Sequence, residues 1–140
     1  MAIDAPTRLL IAFRIGGREL DDARQRLKDL TDCCQGKPLF VSDDLPHYGK
    51  VLGELFHQLV PLPPTGKPGR PRNPERVIDA DLDYATVHKT RQGVKIIKVE
   101  CKVIYGTEQS VFARLAESPR QMINTIYIGR SNLYWRLWDV

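Results

Sequence analysis

The sequence predicts one α/β domain in which a mixed sheet is flanked by helices. Short apolar runs typical of buried strands alternate with segments whose apolar residues recur every three or four positions, as in amphipathic helices. A chain of 140 residues with 42% hydrophobic residues suits a single domain with a real core. An alternating stretch near Cys101 adds a β-hairpin to the expected sheet.

The chain is expected to begin with two strands and a helix. Residues 1–5 and the apolar run 8–15 flank Pro6 and Thr7, an arrangement typical of a hairpin. Apolar residues at helical spacing then continue until Gly36. They are Leu20, Ala23, Leu27 and Leu30.

The segment around Asp43 is the expected centre of the fold. Residues 38–41 are typical of a buried strand, which ends at Asp43 and Asp44 ahead of Pro46, a residue that helices accept in their first turn. Ligands of α/β proteins collect at the carboxyl ends of strands, so Asp43 is a candidate site residue. Equally compatible is an Asp44 that caps the next helix, with Asp43 merely in a turn.

The next helix is expected to follow Asp44, because apolar residues from Tyr48 to Val60 keep helical spacing. His47 and His57 would lie on this helix. Neither has a partner at the spacing of zinc ligands, so both are interpreted as packing or surface residues.

Residues 61–76 form a proline-rich basic segment, which is expected to be an extended linker because proline disrupts helix and sheet interiors. Its net charge is +3, against +4 for the whole chain. Its cations are Lys67, Arg70, Arg72 and Arg76. Residues 69–72 resemble an AT-hook, whose arginines enter the minor groove of A/T-rich DNA. A solvated linker is the equally compatible alternative.

The alternating residues Asp79, Asp81 and Asp83 suggest an acidic turn. They do not match a calcium-binding EF-hand, because Tyr84 and Thr90 occupy the positions that require Gly and Glu.

Two strands are expected next, at residues 84–89 and 93–105. Alternation in the second strand predicts that Cys101 faces inward as an apolar filler. The outward residues would be Lys98, Glu100 and Lys102.

A short helix over residues 108–117 and a last helix from Asn124 complete the prediction. Gly129 lies early in that last helix, where glycine costs about 1 kcal/mol relative to alanine. A reason other than helix stability is therefore needed for Gly129.

Cysteine usage and hydropathy indicate a cytoplasmic protein without a membrane partner. Three cysteines, two of them the adjacent Cys33 and Cys34, fit neither a disulfide framework nor a C-x-x-C metal site. The longest early apolar run, residues 9–13, is too short to cross a bilayer.

Three segments of this sequence resemble the DDE transposases of bacterial insertion sequences, whose catalytic domain is RNase H-like. Residues 2–4, with the run that follows, resemble the segment bearing the first catalytic Asp, here Asp4. Residues 42–45 resemble the segment bearing the second, here Asp43. Residues 124–133 resemble the helix bearing the catalytic Glu, and Gly129 stands at the position of that Glu.

The resemblance implies that Asp4 and Asp43 are catalytic residues and ligands of Mg²⁺ or Mn²⁺ in DNA strand cleavage and transfer. Arg130 and Asn132 would support the site or contact the DNA backbone. Because the three carboxylates of such sites act as a unit, the change at Gly129 predicts an inactive transposase remnant of a mobile element. The family's upstream DNA-binding region and the end of its last helix have no counterpart here, so a truncated domain is expected.

Two other interpretations stay open. The chain could be a non-catalytic DNA-binding module that uses Lys67, Arg70 and Arg72 of the proline-rich arm, assisted by lysines of the hairpin. It could also be a gene remnant without a present role. DNA is the expected partner of both the transposase remnant and the DNA-binding module. The sequence leaves the DNA target and any homo-oligomer undetermined.

Overall fold

The computed structural model describes residues 1–63 and 72–116, together with Ile123 and Thr125. These residues form a mixed α/β structure, which confirms the α/β class. The helices are α1 (Leu20–Cys33), α2 (Pro46–Leu55) and α3 (Glu108–Ala116). The strands are β1 (Ala2–Ile3), β2 (Leu10–Ala12), β3 (Phe40–Asp43), β4 (His57–Val60), β5 (Glu75–Ile78), β6 (Tyr84–Gln92) and β7 (Lys95–Tyr105).

The strands of the described residues lie in three separate sheets. The central sheet has the order β3-β6-β7, with β3 parallel to β6 and β6 antiparallel to β7. β1 pairs with β2, as the predicted hairpin requires, and β4 pairs with β5. The strands that precede Asp4 and end at Asp43 therefore belong to different sheets.

A hydrophobic core forms where α1 and α2 pack near the start of the central sheet. Ala23 and Leu27 of α1 are buried together with Val51 and Leu52 of α2. The sheet contributes Phe40 and Tyr84 to the same cluster. Full burial of a side chain the size of Val or Leu is worth about 1.5–3 kcal/mol, so this cluster is the main source of stability around α1 and α2.

The first half of β6 is covered on both faces. Residues 84–87 are all buried, although successive side chains of a strand point to opposite faces. Val111 and Leu115 of α3 are buried but do not belong to the α1–α2 core cluster. This pattern places α3 on the side of the sheet opposite α1 and α2.

The helix predicted for residues 48–60 ends early. α2 stops at Leu55, and His57 begins β4, so the prediction was wrong for residues 56–60. The backbone of β4 pairs with β5, from His57 opposite Ile78 to Val60 opposite Glu75. The last two residues of the predicted linker, Glu75 and Arg76, accordingly lie in a strand.

The hairpin of β6 and β7 is confirmed, but its alternation is not strict. The register shifts between Tyr84 and Ala85 and again between Thr90 and Arg91. Cys101 is exposed, so its prediction as an inward filler was wrong. Alternation identifies the face of a strand but not whether another element covers that face.

Two further predictions are settled by the described residues. The acidic turn is confirmed, because the Leu82 N–H donates to the carbonyl of Asp79 at 3.1 Å. The short third helix is confirmed as α3. The last predicted helix lies outside the described residues, apart from Thr125. No helix in the described part of the chain is long and apolar enough to cross a membrane.

Candidate active site

Asp43 is the last residue of β3, as the sequence predicts. It lies opposite Val87 of the parallel strand β6, and α2 begins three residues later at Pro46. The turn between them is closed by the Leu45 N–H, which donates to the Asp43 carbonyl at 2.8 Å. Asp43 is therefore exposed at the carboxyl edge of the central sheet, where α/β proteins usually bind ligands.

Asp44 does not cap α2. The residue at the cap position is Leu45, and no side chain forms a capping hydrogen bond there. The Asp44 carboxylate instead lies 3.1 Å from Nδ1 of His88 on β6, with both side chains about half exposed. His88 is thus a neighbour of the site that sequence reasoning missed, because their pairing joins residues distant in the chain.

A buried tyrosine lies near the two carboxylates. The Tyr84 hydroxyl is 2.8 Å from Oγ of Ser42. Burial raises the pKa of Tyr84, and the negative charges of Asp43 and Asp44 raise it further, against the opposing effect of the Ser42 hydrogen bond. The hydroxyl keeps its proton at neutral pH.

A cation of α1 contacts the first turn of α2. Arg26 of α1 donates from Nη1 to the hydroxyl of Tyr48 on α2 at 2.8 Å. The Nε atom of Arg26 is buried without a hydrogen-bond partner among the described residues. The hydrogen bond between Arg26 and Tyr48 holds the first turn of α2 against α1.

Asp4 is held in a different setting. Its carboxylate accepts a hydrogen bond from the backbone N–H of Thr7 at 3.1 Å and another from the Thr7 hydroxyl. Burial raises the pKa of Cys34, and the charges of Cys33 and Asp4 add to the effect. The charge of Asp4 is therefore within electrostatic range of Cys34, the residue that follows α1.

Most of the remaining predicted site residues lie outside the described residues. Arg72 is described and is exposed shortly before β5. The predicted residues that fall outside are Lys67, Arg70, Gly129, Arg130 and Asn132.

The described residues do not complete a metal centre. They contain no group of three or more His, Cys, Asp or Glu side chains that could hold a metal ion. In this part of the chain Asp43 is an exposed carboxylate that can attract a cation, while Asp4 is engaged by Thr7. Comparisons with protein-family models, curated proteins and solved structures gave no match.

Proposed function

We propose that this chain is the RNase H-like catalytic domain of an insertion-sequence transposase that no longer cleaves DNA. The observation that carries the proposal is the position of Asp43 at the carboxyl edge of β3, three residues before α2. A strand, a short turn and a helix are the setting in which an α/β protein presents a ligand-binding carboxylate. The segment that resembles the family's second catalytic segment has this setting.

The proposed loss of activity follows from an incomplete set of metal-binding carboxylates. Two-metal phosphoryl transfer requires ligands that hold both cations against the attacking and leaving oxygens. Asp43 is exposed, Asp4 follows a strand of another sheet and accepts hydrogen bonds from Thr7, and Gly129 supplies no ligand. Removal of one member of such a set usually abolishes most activity, because its members act as a unit.

A second candidate function is DNA binding without catalysis. It is favoured by the concentration of positive charge in the proline-rich segment, whose net charge is +3 over residues 61–76. Binding of this kind depends steeply on salt and does not require Asp43. It would be weakened by Arg70→Ala and left unchanged by Asp43→Ala.

Thermal unfolding with and without Mn²⁺ tests the leading proposal. One or two carboxylates are enough to bind such a cation weakly, so Gly129→Glu should create a response that the unaltered chain lacks or shows less strongly. A ligand that binds only the folded state at about 100 times its Kd adds roughly 2.7 kcal/mol of stability. We expect the melting temperature of the Gly129→Glu protein to rise by several degrees.

Two controls make this measurement specific. Gly129→Gln adds a side chain of similar size without the charge and should not respond to Mn²⁺. Asp43→Asn combined with Gly129→Glu should lose the response. If Gly129→Glu folds and still ignores Mn²⁺, the catalytic ancestry is contradicted, and salt-dependent DNA affinity of the unaltered chain then supports the binding module.

A further inference from the structure

The hairpin of β6 and β7 extends beyond the central sheet. β3 pairs only with residues 84–87 of β6. Residues 88–92 of β6 pair with residues 95–100 of β7, and no third strand joins them within the described residues. We call residues 88–100 the outer ribbon. Five residues of strand give it a length of about 17 Å.

The hairpin carries a large part of the positive charge of the chain. Residues 84–105 contain five cations and one carboxylate, a net charge of +4, which equals that of the whole protein. The cations are Lys89, Arg91, Lys95, Lys98 and Lys102. A concentrated positive charge on an exposed element indicates a polyanionic partner.

The register aligns three of these cations on one face. On β7, Lys102 lies opposite Thr86 of β6, Lys98 lies opposite Thr90, and Lys95 lies opposite Gln92. Those three β6 residues are separated by even numbers of positions, so they and their partners share a face. We call Lys95, Lys98 and Lys102 the basic face. All three are exposed, and at 3.3–3.4 Å per residue Lys98 and Lys102 are about 13 Å apart along the strand.

The hairpin's own carboxylate, Glu100, leaves the lysines available. Glu100 lies 2.7 Å from Lys98, and the hydrogen bond from that lysine lowers the pKa of Glu100. The two side chains are 52% and 62% exposed. An exposed pair of this kind is weak, so Lys98 can exchange Glu100 for a phosphate at little cost.

We propose that the outer ribbon binds duplex DNA in the major groove, with the basic face, formed by Lys95 and Lys98 of the ribbon and by Lys102 just beyond it, on backbone phosphates. Neighbouring strands lie about 4.8 Å apart, and a two-stranded ribbon fits the roughly 12 Å width of that groove. The major groove of A-form RNA is too narrow for such an element. The inference rests on the proposed function only in taking DNA as the partner, and it needs neither Asp43 nor the proline-rich segment.

The tip of the ribbon fits the same partner. Gly93 turns the chain with φ +60°, and Val94 beside it is 94% exposed. Ile97, the residue displaced by the register shift, is 56% exposed. Apolar side chains at the end of a groove-binding ribbon can contact thymine methyl groups.

The test measures fluorescence anisotropy of a labelled 24-base-pair duplex over a range of salt concentrations. A protein with Lys95→Gln, Lys98→Gln and Lys102→Gln should bind on the order of 10–100-fold more weakly near 0.1 M salt. Each phosphate contact contributes about 0.9 to the slope of log K against log salt, so the slope should fall by about 2.7. Glu100→Gln should strengthen binding, because it removes the only carboxylate of the hairpin.

The matched control removes exposed lysines elsewhere. Lys28→Gln on α1 and Lys50→Gln on α2 should leave both affinity and slope unchanged. Thermal unfolding of each variant verifies that it is folded. An intact chain that binds DNA and a triple variant that does not, at equal stability, supports the proposal.

Three results would overturn it: no binding by the intact chain, an unchanged slope in the triple variant, or tighter binding to a double-stranded RNA of equal length. Loss of binding only in Arg70→Gln and Arg72→Gln would assign the affinity to the proline-rich segment instead. The Mn²⁺ response of Gly129→Glu is a separate measurement, so failure of the ribbon and failure of the catalytic ancestry are distinguishable.

Discussion

Arg114 of α3 lies against the buried carboxylate of Asp83, with its Nε 2.6 Å from an oxygen of a side chain that is only 1% exposed. Ser110, one helical turn earlier, donates its hydroxyl to the same oxygen at 2.6 Å. Arg114 also donates to the backbone carbonyl of Lys37, shortly before β3. One side chain thus connects α3 to the entrances of both parallel strands.

Replacement of Arg114 by Met should lower the free energy of unfolding by about 3 kcal/mol, because it leaves the charge of Asp83 buried without its cation. Urea denaturation measures this loss. The double variant with Asp83→Asn should be less destabilised than the sum of the two single variants, since the unpaired charge is gone. A cost below about 1 kcal/mol for Arg114→Met would show that the ion pair contributes little.

Gly106→Ala should destabilise the protein by more than the usual cost of placing alanine in the left-handed backbone conformation. Gly106 has φ +86°, and an added Cβ would overlap the Asp83 carboxylate. Gly36→Ala is the matched control, because Gly36 has φ +78° with no atom within 4 Å of the added carbon. The control should cost about 1–2 kcal/mol, and Gly106→Ala measurably more in the same denaturation assay. Equal losses would mean that Asp83 moves aside freely.

The sequence predicted the elements whose pattern is local. The heptad-like spacing from Leu20 to Leu30 identifies α1, because those residues lie on one face of a helix. Pro46 identifies the start of α2 and so the position of Asp43 at the end of β3.

Contacts distant in the sequence escaped prediction. Residues 57–60 continue the apolar spacing of α2, yet they pair with β5, which no local pattern reveals. Asp83 was interpreted as part of an acidic turn, although Ser110 and Arg114 are four positions apart on α3 and so share the face that contacts it. A Ser and an Arg at that spacing were the available signal, but nothing in the sequence names their partner.

Lys37 should make stability depend on pH at both extremes. Its Nζ lies 2.7 Å from Oδ2 of Asp79 and 2.6 Å from Oδ1 of Asp81. The hydrogen bond from Lys37 lowers the pKa of Asp81, and the bonds to Asp79 and Asp81 raise the pKa of Lys37. The stability that ionised Asp81 contributes is therefore present above its unfolded pKa near 4 and is lost as pH falls through its lower pKa in the folded state. The contribution of Lys37 is complete below pH 10 and is lost as pH rises through its raised folded value.

The corresponding experiment compares the melting temperature of Lys37→Met with that of the unaltered chain from pH 2 to pH 7. The variant should be less stable at pH 7, and the gap should narrow as the pH falls below 4. Lys95→Met, at the exposed start of β7, is the control and should show a constant difference. A gap that stays constant for Lys37→Met would contradict a role for the ion pairs.

The charge of Asp4, the first candidate carboxylate, should slow the reaction of Cys34. Burial, followed by the charges of Cys33 and Asp4, raises the pKa of Cys34. The thiolate is the form that reacts, so Cys34 should be alkylated by iodoacetamide more slowly than the exposed Cys33 at pH 7.5. Asp4→Asn should accelerate the alkylation of Cys34 and leave the alkylation rate of Cys101 unchanged. Fragment-ion mass spectrometry measures both rates residue by residue. If Asp4→Asn leaves the alkylation rate of Cys34 unaltered, the charge of Asp4 does not act on this thiol.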